Sequence, residues 1–478
     1  MSQLINTMSK TQPPNFLFIF PDQHRGDWLP YPDEIFKKLG MEPIPIRMPN
    51  LEQLMNLGVT FPNTVTPSPL CAPARSCLAS GVRYCKTGVL TNSFNHPLDK
   101  ETFYSVLKKN GYTVGGCGKF DLRKPEHNFN GTGWVPKMEK LGFTKGYAID
   151  NGGKHDAVRC GTTYVDEDGK RQRYKNPEEH EPVCPYMKYL KDNGLMMVHV
   201  NDFKKRRKMF GIDLATFPTE LPEEAYCDNW VGRNGIDIIK RFPKEKPWFL
   251  QVNFVCPHEP WDVTKRMREA WKDEEFPPPV ANNELIAPEE NKVRQNYAAM
   301  LENIDRNMGF LINAIKERGE LDNTIIIYSS DHGEMLGDFT LYGKSKYQRG
   351  STRVPLVIGG PGIKDGLICE KLVEMQDLTS TIIDYAGLEM ADAKDSRSLR
   401  PLLEGLNEEH RKYQVSALSP KNQENWKIIS DGKYKLVARE GAADLLYDIE
   451  EDPWELKDIA SAQPEVIERL KIALKNGE

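Results

Sequence analysis

One segment of this sequence has residue types that are typical of an active site. It begins with a cysteine, and an arginine follows four residues later. The segment is CAPARSCLASG, residues 71–81. A cysteine supplies a nucleophile, and the guanidinium of Arg75 is placed to offset negative charge beside it. The segment is therefore a candidate reactive site. The alternative is a structural Cys71 in a proline-rich loop, or a disulfide that involves Cys71 or Cys77.

Two acidic positions follow apolar runs that are typical of buried strands. Asp22-Gln23 comes after Asn15 to Phe20, and Asp331-His332 comes after Thr324 to Ser330. Carboxylate and amide oxygens are hard ligands, which suit Ca²⁺ or Mg²⁺. The pattern predicts a metal site at the ends of these strands, the alternative being that the aspartates cap helices.

A histidine follows a third apolar run, Trp248 to Phe254. His258 lies in the segment CPHEPWD, residues 256–262. An imidazole exchanges its proton near neutral pH, which suits a general acid. A lone histidine is more often structural, so the functional interpretation depends on the motif that surrounds His258.

Residues 71–81 resemble the sulfatase signature C-x-P-[SA]-R-x-x-L-x-[TS]-G at every specified position. Further family motifs follow the same order along nearly the whole chain: the strand before Asp22, Gly118-Lys119, the PHxP histidine His258, Asp331-His332-Gly333, and Gly343-Lys344. The chain is therefore similar to formylglycine-dependent sulfatases of the alkaline-phosphatase-like superfamily, and it resembles bacterial glycan sulfatases.

The resemblance implies that Cys71 is oxidised to formylglycine by the formylglycine-generating enzyme before folding is complete. One hydroxyl of the hydrated aldehyde then attacks sulfur, and the other lets the carbon expel sulfate, so that water need not attack sulfur. In this scheme Arg75 fixes the hydrate.

The resemblance also implies the other site residues. One Ca²⁺ is expected on Asp22, Gln23, Asp331 and His332, and His332 stands where the family has Asn, Gln or His. His258 is expected to protonate the leaving oxygen. Lys119 and Lys344 are expected to neutralise sulfate oxygens, whereas any lysine can also be a plain surface group.

One position departs from the family pattern. The histidine of the GKxH element is absent, and Lys119-Phe120-Asp121 places an aspartate there. A carboxylate cannot donate as an imidazolium does. Asp121 is expected to act as a base on the hydrate or to orient another cation, and His127 or Arg123 is the candidate replacement donor.

The elements that position these residues alternate between apolar strands and helices. Glu101 to Asn110 is predicted to be a helix ended by Gly111, and residues 297–315 a long amphipathic helix. Val354 to Ile358 adds another strand. Such alternation predicts an α/β fold with a large, mostly parallel sheet sandwiched by helices, whose ligands bind beyond the carboxyl ends of the strands.

The rest of the chain is predicted in coarser terms. Residues 150–245 are polar, with little periodicity, and are expected to form surface loops. Trp426 to Ser430 and Tyr434 to Val437 flank a hairpin turn, and Pro464 to Lys475 is predicted to be a terminal helix. Two domains follow: a catalytic domain, residues 1–405, and a small α+β domain, residues 406–478, with antiparallel strands and that helix.

Composition excludes several classes. The 478 residues are 39% apolar and 28% charged with a net charge of −5, so a nucleic-acid partner is not expected. No apolar run is long enough to span a membrane. Residues 1–12 lack the apolar core of a signal peptide, which predicts a cytoplasmic protein, or a periplasmic or secreted one if a signal was removed. Nine scattered cysteines exclude a small disulfide scaffold.

Five consecutive cations, residues 204–208, leave two interpretations open. The favoured one is a solvated face, and the other is a subsite for a polyanionic glycan. A nuclear localisation signal fits the pattern without other support.

Two rival functions remain besides a sulfatase that acts on a sulfated polysaccharide or oligosaccharide. A formylglycine-dependent phosphonate or phosphate ester hydrolase shares the nucleophile and the single metal ion. A non-catalytic glycan-binding protein on a sulfatase scaffold is favoured only by Asp121. A two-zinc hydrolase is not expected, because only His410 follows His332.

Overall fold

The computed structural model describes residues 13–128, 137–150, 153–209, 214–281, 288–406, 409–419 and 425–477. Its strands are β1 (Asn15–Ile19), β2 (Gly58–Thr60), β3 (Thr64–Val65), β4 (Thr113–Gly118), β5 (Ala148–Asp150), β6 (Thr163–Val165), β7 (Arg171–Arg173), β8 (Trp248–Asn253), β9 (Thr324–Ser329), β10 (Leu356–Gly359), β11 (Leu367–Ile368), β12 (Val373–Glu374), β13 (Gln414–Leu418), β14 (Trp426–Ser430), β15 (Tyr434–Arg439) and β16 (Leu445–Asp448).

The structure also includes these α-helices: α1 (Asp33–Lys38), α2 (Pro49–Asn56), α3 (Cys71–Ser80), α4 (Tyr84–Thr87), α5 (Phe103–Lys109), α6 (Lys154–Thr162), α7 (Pro185–Asp192), α8 (Met196–Met209), α9 (Cys227–Arg241), α10 (Lys265–Trp271), α11 (Pro288–Glu317), α12 (Arg349–Thr352), α13 (Asp377–Tyr385), α14 (Arg400–Leu403) and α15 (Pro464–Lys475).

The largest sheet has eight strands in the order β11-β2-β10-β9-β1-β8-β4-β5. All neighbours are parallel except β10, which runs antiparallel to both β2 and β9. Helices cover both faces, which explains why central strands such as β1 and β9 are apolar at nearly every position. The mostly parallel α/β fold expected from the sequence is confirmed.

Alternate residues of β1 belong to different halves of the core. Leu17 and Ile19 pack into one hydrophobic cluster, with residues of α9 and α11. Phe16 and Phe18 pack into a second cluster on the opposite face, with residues of α5 and α13. This follows from the alternation of side chains along a strand, and it fixes β1 at the centre of the molecule.

The three central strands β9, β1 and β8 lie side by side and end at one edge of the sheet. The chain continues from β1 alongside that of β8, since Asp22 N donates to Phe254 O at 3.1 Å. The segments after β1, β8 and β9, which carry Asp22, His258 and Asp331, are therefore brought together. A ligand site is expected at such an edge.

The prediction that residues 150–245 form irregular loops was wrong. Helices α6 to α9 and the β6–β7 hairpin lie within this stretch. Apolar residues of α9, such as Trp230, Val231 and Ile238, are buried. In the sequence they are interspersed with charged residues, so their helical spacing was present but was not recognised. The helix packs on β4, β8 and α11, and these tertiary contacts stabilise it.

The C-terminal sheet has four antiparallel strands in the order β13-β14-β15-β16. The predicted hairpin of β14 and β15 and the terminal helix α15 are confirmed, whereas β13 was not predicted. The domain boundary at residues 405 and 406 stays a prediction. Among the described helices, none is long and apolar enough to cross a bilayer.

Candidate active site

Cys71 is the first residue of α3 and points into the edge of the sheet. The side chain is buried. Its Sγ lies 3.2 Å from Nε2 of His332 and 3.5 Å from Nζ of Lys119. Neither Cys71 nor Cys77 forms a disulfide with another described cysteine, so the disulfide alternative is wrong.

The surroundings of Cys71 favour negative charge on its side chain. Burial raises the pKa of the thiol, and so does the carboxylate of Asp22, but Lys119, Lys344 and His332 outweigh them and lower it. A group at position 71 that carries or develops negative charge is therefore stabilised by neighbouring cations.

Arg75 lies one turn further along α3 and bridges the two predicted metal-binding acids. Its Nη2 donates to Asp22 Oδ2 at 2.9 Å, and its Nε donates to Asp331 Oδ2 at 2.9 Å. Its Nη1 donates to the carbonyl of Lys119. These contacts are with the acids rather than with residue 71, so the role expected for Arg75 on a hydrate stays a prediction.

The Asp22 carboxylate is buried and held ionised. Burial raises its pKa, but Lys119, His258, Arg75 and His332 lower it well below its usual value. The Nζ of Lys119 lies 2.6 Å from Oδ2. Within the described residues Oδ1 accepts no hydrogen bond, and the imidazole of His258 lies 3.9 Å from it.

These residues fit a metal ion. One ligand atom each from Asp22, Cys71, Asp331 and His332 lies within 4.8 Å of the others, and Oδ1 of Asp22 is a buried acceptor that has no donor among the described residues. Two carboxylates and the Gln23 amide suit a hard cation such as Ca²⁺. The nitrogen of His332 is a softer donor, and its contact with residue 71 is an equally good reason for its position.

Gln23 connects the metal-site acids to the residues that face the opening. Its backbone has a positive φ of 69°, and its N–H donates to Asp331 Oδ1 at 3.1 Å. Its side-chain oxygen accepts a hydrogen bond from Nζ of Lys344. Gln23 thus lies beside the acids, but its predicted role as a metal ligand stays a prediction.

His258 and Lys344 form a pair at the same place. The Nζ of Lys344 contacts Nε2 of His258, while Nδ1 of His258 lies 2.7 Å from the carbonyl of Glu259. Burial lowers the pKa of His258, and Lys344 and Lys119 lower it further against the pull of Glu259. The neutral ring then carries its proton on Nδ1, and Nε2 accepts from Lys344.

Two carboxylates of the site were missed by sequence reasoning. Glu259 and Glu334 both accept from the amide nitrogen of Gln23. Burial and the repulsion of Glu259 raise the pKa of Glu334 to about 7. Glu259 was visible as the neighbour of His258, whereas Glu334 three residues after Asp331 gave no signal, because its position depends on the loop that follows β9.

The departure at Asp121 has a structural explanation. Asp121 is buried and has a positive φ of 53°. Its Oδ2 lies 3.6 Å from Nζ of Lys119 and accepts from Nζ of Lys124 at 2.5 Å. Asp121 thus contacts two cations, and its two expected roles stay predictions. Lys124 was missed because no family motif includes it.

The two replacement donors proposed for the missing histidine differ in outcome. Arg123 pairs with Glu126 and donates to the carbonyl of His96, so its described contacts are away from Cys71. The side chain of His127 lies outside the described residues. The remaining predicted site residues lie together: Cys71, Arg75, Lys119, Asp121, His258, Lys344, Asp22, Gln23, Asp331 and His332.

The cationic run at residues 204–208 is not a plain solvated face. It ends α8, and Arg206 is fully buried, where it pairs with Asp202 and donates to the carbonyls of Ala215 and Phe217. The other cations of the run are exposed. The preferred interpretation was therefore wrong for Arg206, whose guanidinium ties the end of α8 to the next loop.

Comparison with known families gives two matches. The family model "Sulfatase" matches residues 14–388. A second model, "N-sulphoglucosamine sulphohydrolase, C-terminal", matches residues 337–477. A curated relative, the arylsulfatase of Clostridium perfringens, is 27% identical over 502 aligned positions, which cover 97% of this chain and 94% of that protein.

Two solved structures with the same fold are of proteins that act on different kinds of substrate. A protein in complex with its substrate D-glucosamine-2-N,6-O-disulfate has a TM-score of 0.72 at 19% identity, covering 98% of this chain and 97% of its own. The phosphonate monoester hydrolase of Silicibacter pomeroyi has a TM-score of 0.74 at 21% identity, covering 97% and 95%. At these identities the likeness establishes the fold.

Proposed function

The chain belongs to the sulfatase family, and from this premise we propose that it hydrolyses a sulfate ester of a carbohydrate through a formylglycine made from Cys71, with one Ca²⁺. The observation that carries the proposal is the surroundings of Cys71. Its side chain is buried between Lys119 and His332, beside the paired acids Asp22 and Asp331. A hydrated formylglycine supplies the nucleophilic hydroxyl, and the metal ion supplies charge that binds sulfate oxygens.

The cations around residue 71 bind and polarise the sulfate. Burial lowers the pKa of Lys119, but Asp22 and, before its conversion, Cys71 raise it more, so that the pKa stays well above its usual value. Asp22 is unaffected by the conversion and remains beside the ammonium. Lys344 likewise keeps a raised pKa despite its burial, because Cys71 and Glu259 are near. Both ammonium groups lie ready to neutralise charge that develops on sulfate and leaving oxygens.

The proton for the leaving oxygen starts on the ammonium of Lys344 and passes through Nε2 of His258, which accepts it from Lys344 and delivers it to that oxygen. Their contact at Nε2 places an ammonium donor and an imidazole on the open side of the site. Protonation matters most for a sugar alkoxide, which is a poor leaving group. The metal ion would be held by Asp22, Gln23, Asp331 and His332. Arg75 fixes the positions of the two acids relative to each other, because it donates to both.

Maturation requires the formylglycine-generating enzyme as a transient partner. Cys71 is only 1% exposed, so a second enzyme cannot reach the side chain once α3 has packed. Conversion therefore takes place on the nascent or unfolded chain. The carbohydrate substrate is supported by the disulfated glucosamine bound to the structural neighbour described above.

The test measures the state of residue 71 together with turnover. Mass spectrometry of the tryptic peptide with residue 71, after expression with a formylglycine-generating enzyme, should show aldehyde in place of thiol. Cys71→Ala should abolish hydrolysis of nitrophenyl sulfate, whereas Cys85→Ala, at an exposed cysteine, should not. Full activity in Cys71→Ala would refute the mechanism. An unconverted Cys71 would favour the glycan-binding alternative.

A phosphonate or phosphate ester hydrolase is the second candidate, because the Silicibacter pomeroyi hydrolase shares the fold. The comparison uses one phenol esterified with sulfate, phosphate or methylphosphonate. We expect the highest kcat/KM on the sulfate. A preference for the phosphonate by tenfold or more would assign the site to that chemistry instead.

A further inference from the structure

A cleft rich in cations lies between α6, the β6–β7 hairpin and α8. Its volume is about 390 Å³. We call it the basic cleft, and its cationic lining residues are Arg159, Arg171, Arg173, Lys204 and Arg207. In the described part of the chain, no aspartate or glutamate belongs to its lining. Cations this close together repel one another, and an anionic ligand would relieve that repulsion.

The hairpin presents two of these arginines side by side. Strand β7 pairs with β6 so that Thr163 lies opposite Arg173 and Val165 lies opposite Arg171. Residues two apart on a strand share a face, so both arginines line the same surface. Both side chains are exposed, which leaves their guanidinium groups accessible to a ligand.

The nearby carboxylates do not neutralise the cleft. Asp202 pairs with the buried Arg206, and Asp166 accepts from the backbone of Lys170 and from Gln172 within the hairpin turn. Within the described residues, no carboxylate lies at ion-pair distance from Arg171, Arg173, Lys204 or Arg207. Four of the five cations thus lack an acidic partner there.

A row of ion pairs joins the basic cleft to Cys71. Lys119, beside the Cys71 sulfur, lies 3.6 Å from Asp121. Asp121 pairs with Lys124 at 2.5 Å, and Lys124 lies 3.2 Å from Asp156. Asp156 pairs with Arg159, a lining residue of the cleft. The cleft is therefore separated from the reaction site by a few side chains.

Other lining residues suit a hydroxylated ligand. Thr162, Thr163 and Tyr174 lie in the same lining. The two threonine hydroxyls donate to the carbonyls of Val158 and Arg159 and can accept from a ligand, whereas the Tyr174 hydroxyl can donate and accept. Arginine guanidinium groups bind sulfate and carboxylate oxygens through two parallel hydrogen bonds. Cations and hydroxyls together match a sugar that carries an acidic group.

We infer that the basic cleft binds a second anionic group, a sulfate or carboxylate, on an oligosaccharide whose scissile sulfate ester lies at residue 71. The inference rests on the proposed function and narrows it to substrates with more than one negative charge. Two of the exposed cations of residues 204–208, Lys204 and Arg207, thereby gain a role, because they belong to the lining.

The experiment compares Arg171→Gln/Arg173→Gln with a matched control, Lys427→Gln/Lys457→Gln, whose lysines are exposed in the C-terminal region. Each pair is introduced into full-length protein with and without Cys71→Ala. The probe is a fluorescently labelled heparin tetrasaccharide, and a second probe is the same tetrasaccharide desulfated and N-acetylated, which keeps its carboxylates. Fluorescence anisotropy in the Cys71→Ala background gives Kd without turnover.

We expect the arginine pair to raise Kd for the sulfated probe at least tenfold, because charge-assisted bonds to two guanidinium groups are lost. The control should change Kd less than twofold, and both variants with Cys71 should keep wild-type kcat/KM on nitrophenyl sulfate. Loss confined to the sulfated probe identifies sulfate as the bound group, and equal loss on both probes identifies the carboxylate.

Two results overturn the inference. Equal weakening by both variants shows attraction by net charge alone, and no weakening by the arginine pair shows that the cleft is not used. Failure of the proposed function is seen separately: if the wild type hydrolyses no sulfate ester but the arginine pair still governs binding, the cleft stands and the catalytic assignment falls.

Discussion

At the scale of single residues, the site is governed by the pairing of buried charges. Asp22 and Asp331 are fully buried, and Arg75 and Lys119 offset both of their charges. An unpaired buried carboxylate costs several kcal/mol, so this pairing offsets the cost of burying the two acids without a metal ion. A bound cation then adds stability without being needed for folding.

We expect Ca²⁺ removal to lower Tm without unfolding the protein. A ligand at about 100 times its Kd stabilises the native state by about 2.7 kcal/mol, which corresponds to a shift of a few degrees. The measurement is a thermal melt in EDTA and in excess Ca²⁺, with the metal content determined by elemental analysis. Asp22→Asn should bind less metal and show a smaller shift.

The control for the metal prediction is Asp305→Asn, at a buried carboxylate that bonds to Asn50 and Leu51 away from the site. It should lower Tm in both buffers and keep the Ca²⁺-dependent shift. Two zinc ions per chain, or a shift unchanged by Asp22→Asn, would contradict the assigned metal site.

Loss of the His258 imidazole should affect substrates with poor leaving groups most. His258→Ala should reduce kcat/KM on a sulfated sugar by about 10²–10⁴, the usual range for general acid catalysis, and much less on nitrophenyl sulfate, whose leaving group needs no proton. Lys344→Ala should slow both substrates, because Lys344 also neutralises sulfate oxygens. Kinetics of both variants on both substrates provide the measurement.

An equal loss on both substrates in His258→Ala would assign His258 to sulfate binding. The contact between Nζ of Lys344 and Nε2 of His258 makes this outcome informative, because the proton would then come from Lys344. The two variants together decide which member of the pair is the donor.

The motif residues were each predictable from their local sequence context, such as the apolar strand before Asp22. Glu334 and Lys124 were not. Glu334 bonds to the backbone N–H groups of Leu336 and Gly343, and Lys124 bonds to Asp121 across a turn with a positive φ. Such contacts depend on loop conformation, which a single sequence specifies weakly.

At the scale of elements, Asp377 joins three parts of the chain. It begins α13, its oxygens accept from the backbone of Glu374 and Arg397, and it pairs with Arg411 and His410. Burial raises its pKa, but Arg411 and His410 outweigh that effect and hold the pKa well below its usual value. The helix is thereby tied to the chain that leads into β13.

We expect Asp377→Asn to lower the free energy of unfolding by about 3 kcal/mol at pH 7, because the buried Arg411 loses its nearest carboxylate and keeps only Glu374, 3.6 Å away. The lowered pKa stabilises the native state above about pH 4, the usual pKa of an aspartate, and this contribution is lost as the pH falls further. The variant should therefore lose less stability than the wild type between pH 5 and pH 3.

Urea unfolding at several pH values measures this effect. The control is Asp384→Asn on the same helix, which bonds to Ser398 and to the half-exposed Arg400 and should cost less than about 1 kcal/mol. Parallel pH curves for the wild type and Asp377→Asn would show that the carboxylate is not the group that titrates.

The elements themselves were predictable where the apolar pattern was continuous. Strands β1, β8 and β9 were found within a few residues of their ends, because each is apolar at the positions that face the core. The C-terminal end of helix α11 was found as closely, whereas its first nine residues, 288–296, were missed. Strand β4, with three glycines in Thr113–Gly118, gave no such pattern. Its Gly118 has a φ of +95° and lies against the carbonyl of Asn253, where a Cβ would come within 1.8 Å.

At the scale of the whole molecule, the C-terminal sheet is part of what positions Cys71. Trp426, Ile428 and Val437 pack against Cys77 and Tyr84 on one face of this sheet, and Cys77 belongs to the helix that begins at Cys71. Ala417 N donates to Pro67 O at 3.0 Å, just before that helix. The opposite face carries Ile429 and Leu436, which pack on α15.

The two faces of the C-terminal sheet can be tested separately. Trp426→Ala and Leu470→Ala each remove a large buried side chain, and each should cost about 2–5 kcal/mol of stability. Trp426→Ala leaves a cavity next to α3, so the nucleophile shifts, and kcat/KM on nitrophenyl sulfate should fall by roughly tenfold or more at a temperature where the protein is folded. Leu470→Ala lies behind the sheet and should leave kcat/KM within about twofold.

Circular dichroism melts establish the temperature at which both variants are folded, and initial rates are compared there. Equal kcat/KM in the two variants would mean that the sheet stabilises the chain without positioning α3, so that the region after residue 405 would act as an independent domain. A selective loss in Trp426→Ala requires instead that the catalytic part and the C-terminal sheet form one cooperative core. Conversion of Cys71 must be verified in both variants, because incomplete maturation lowers kcat in proportion and leaves KM unchanged.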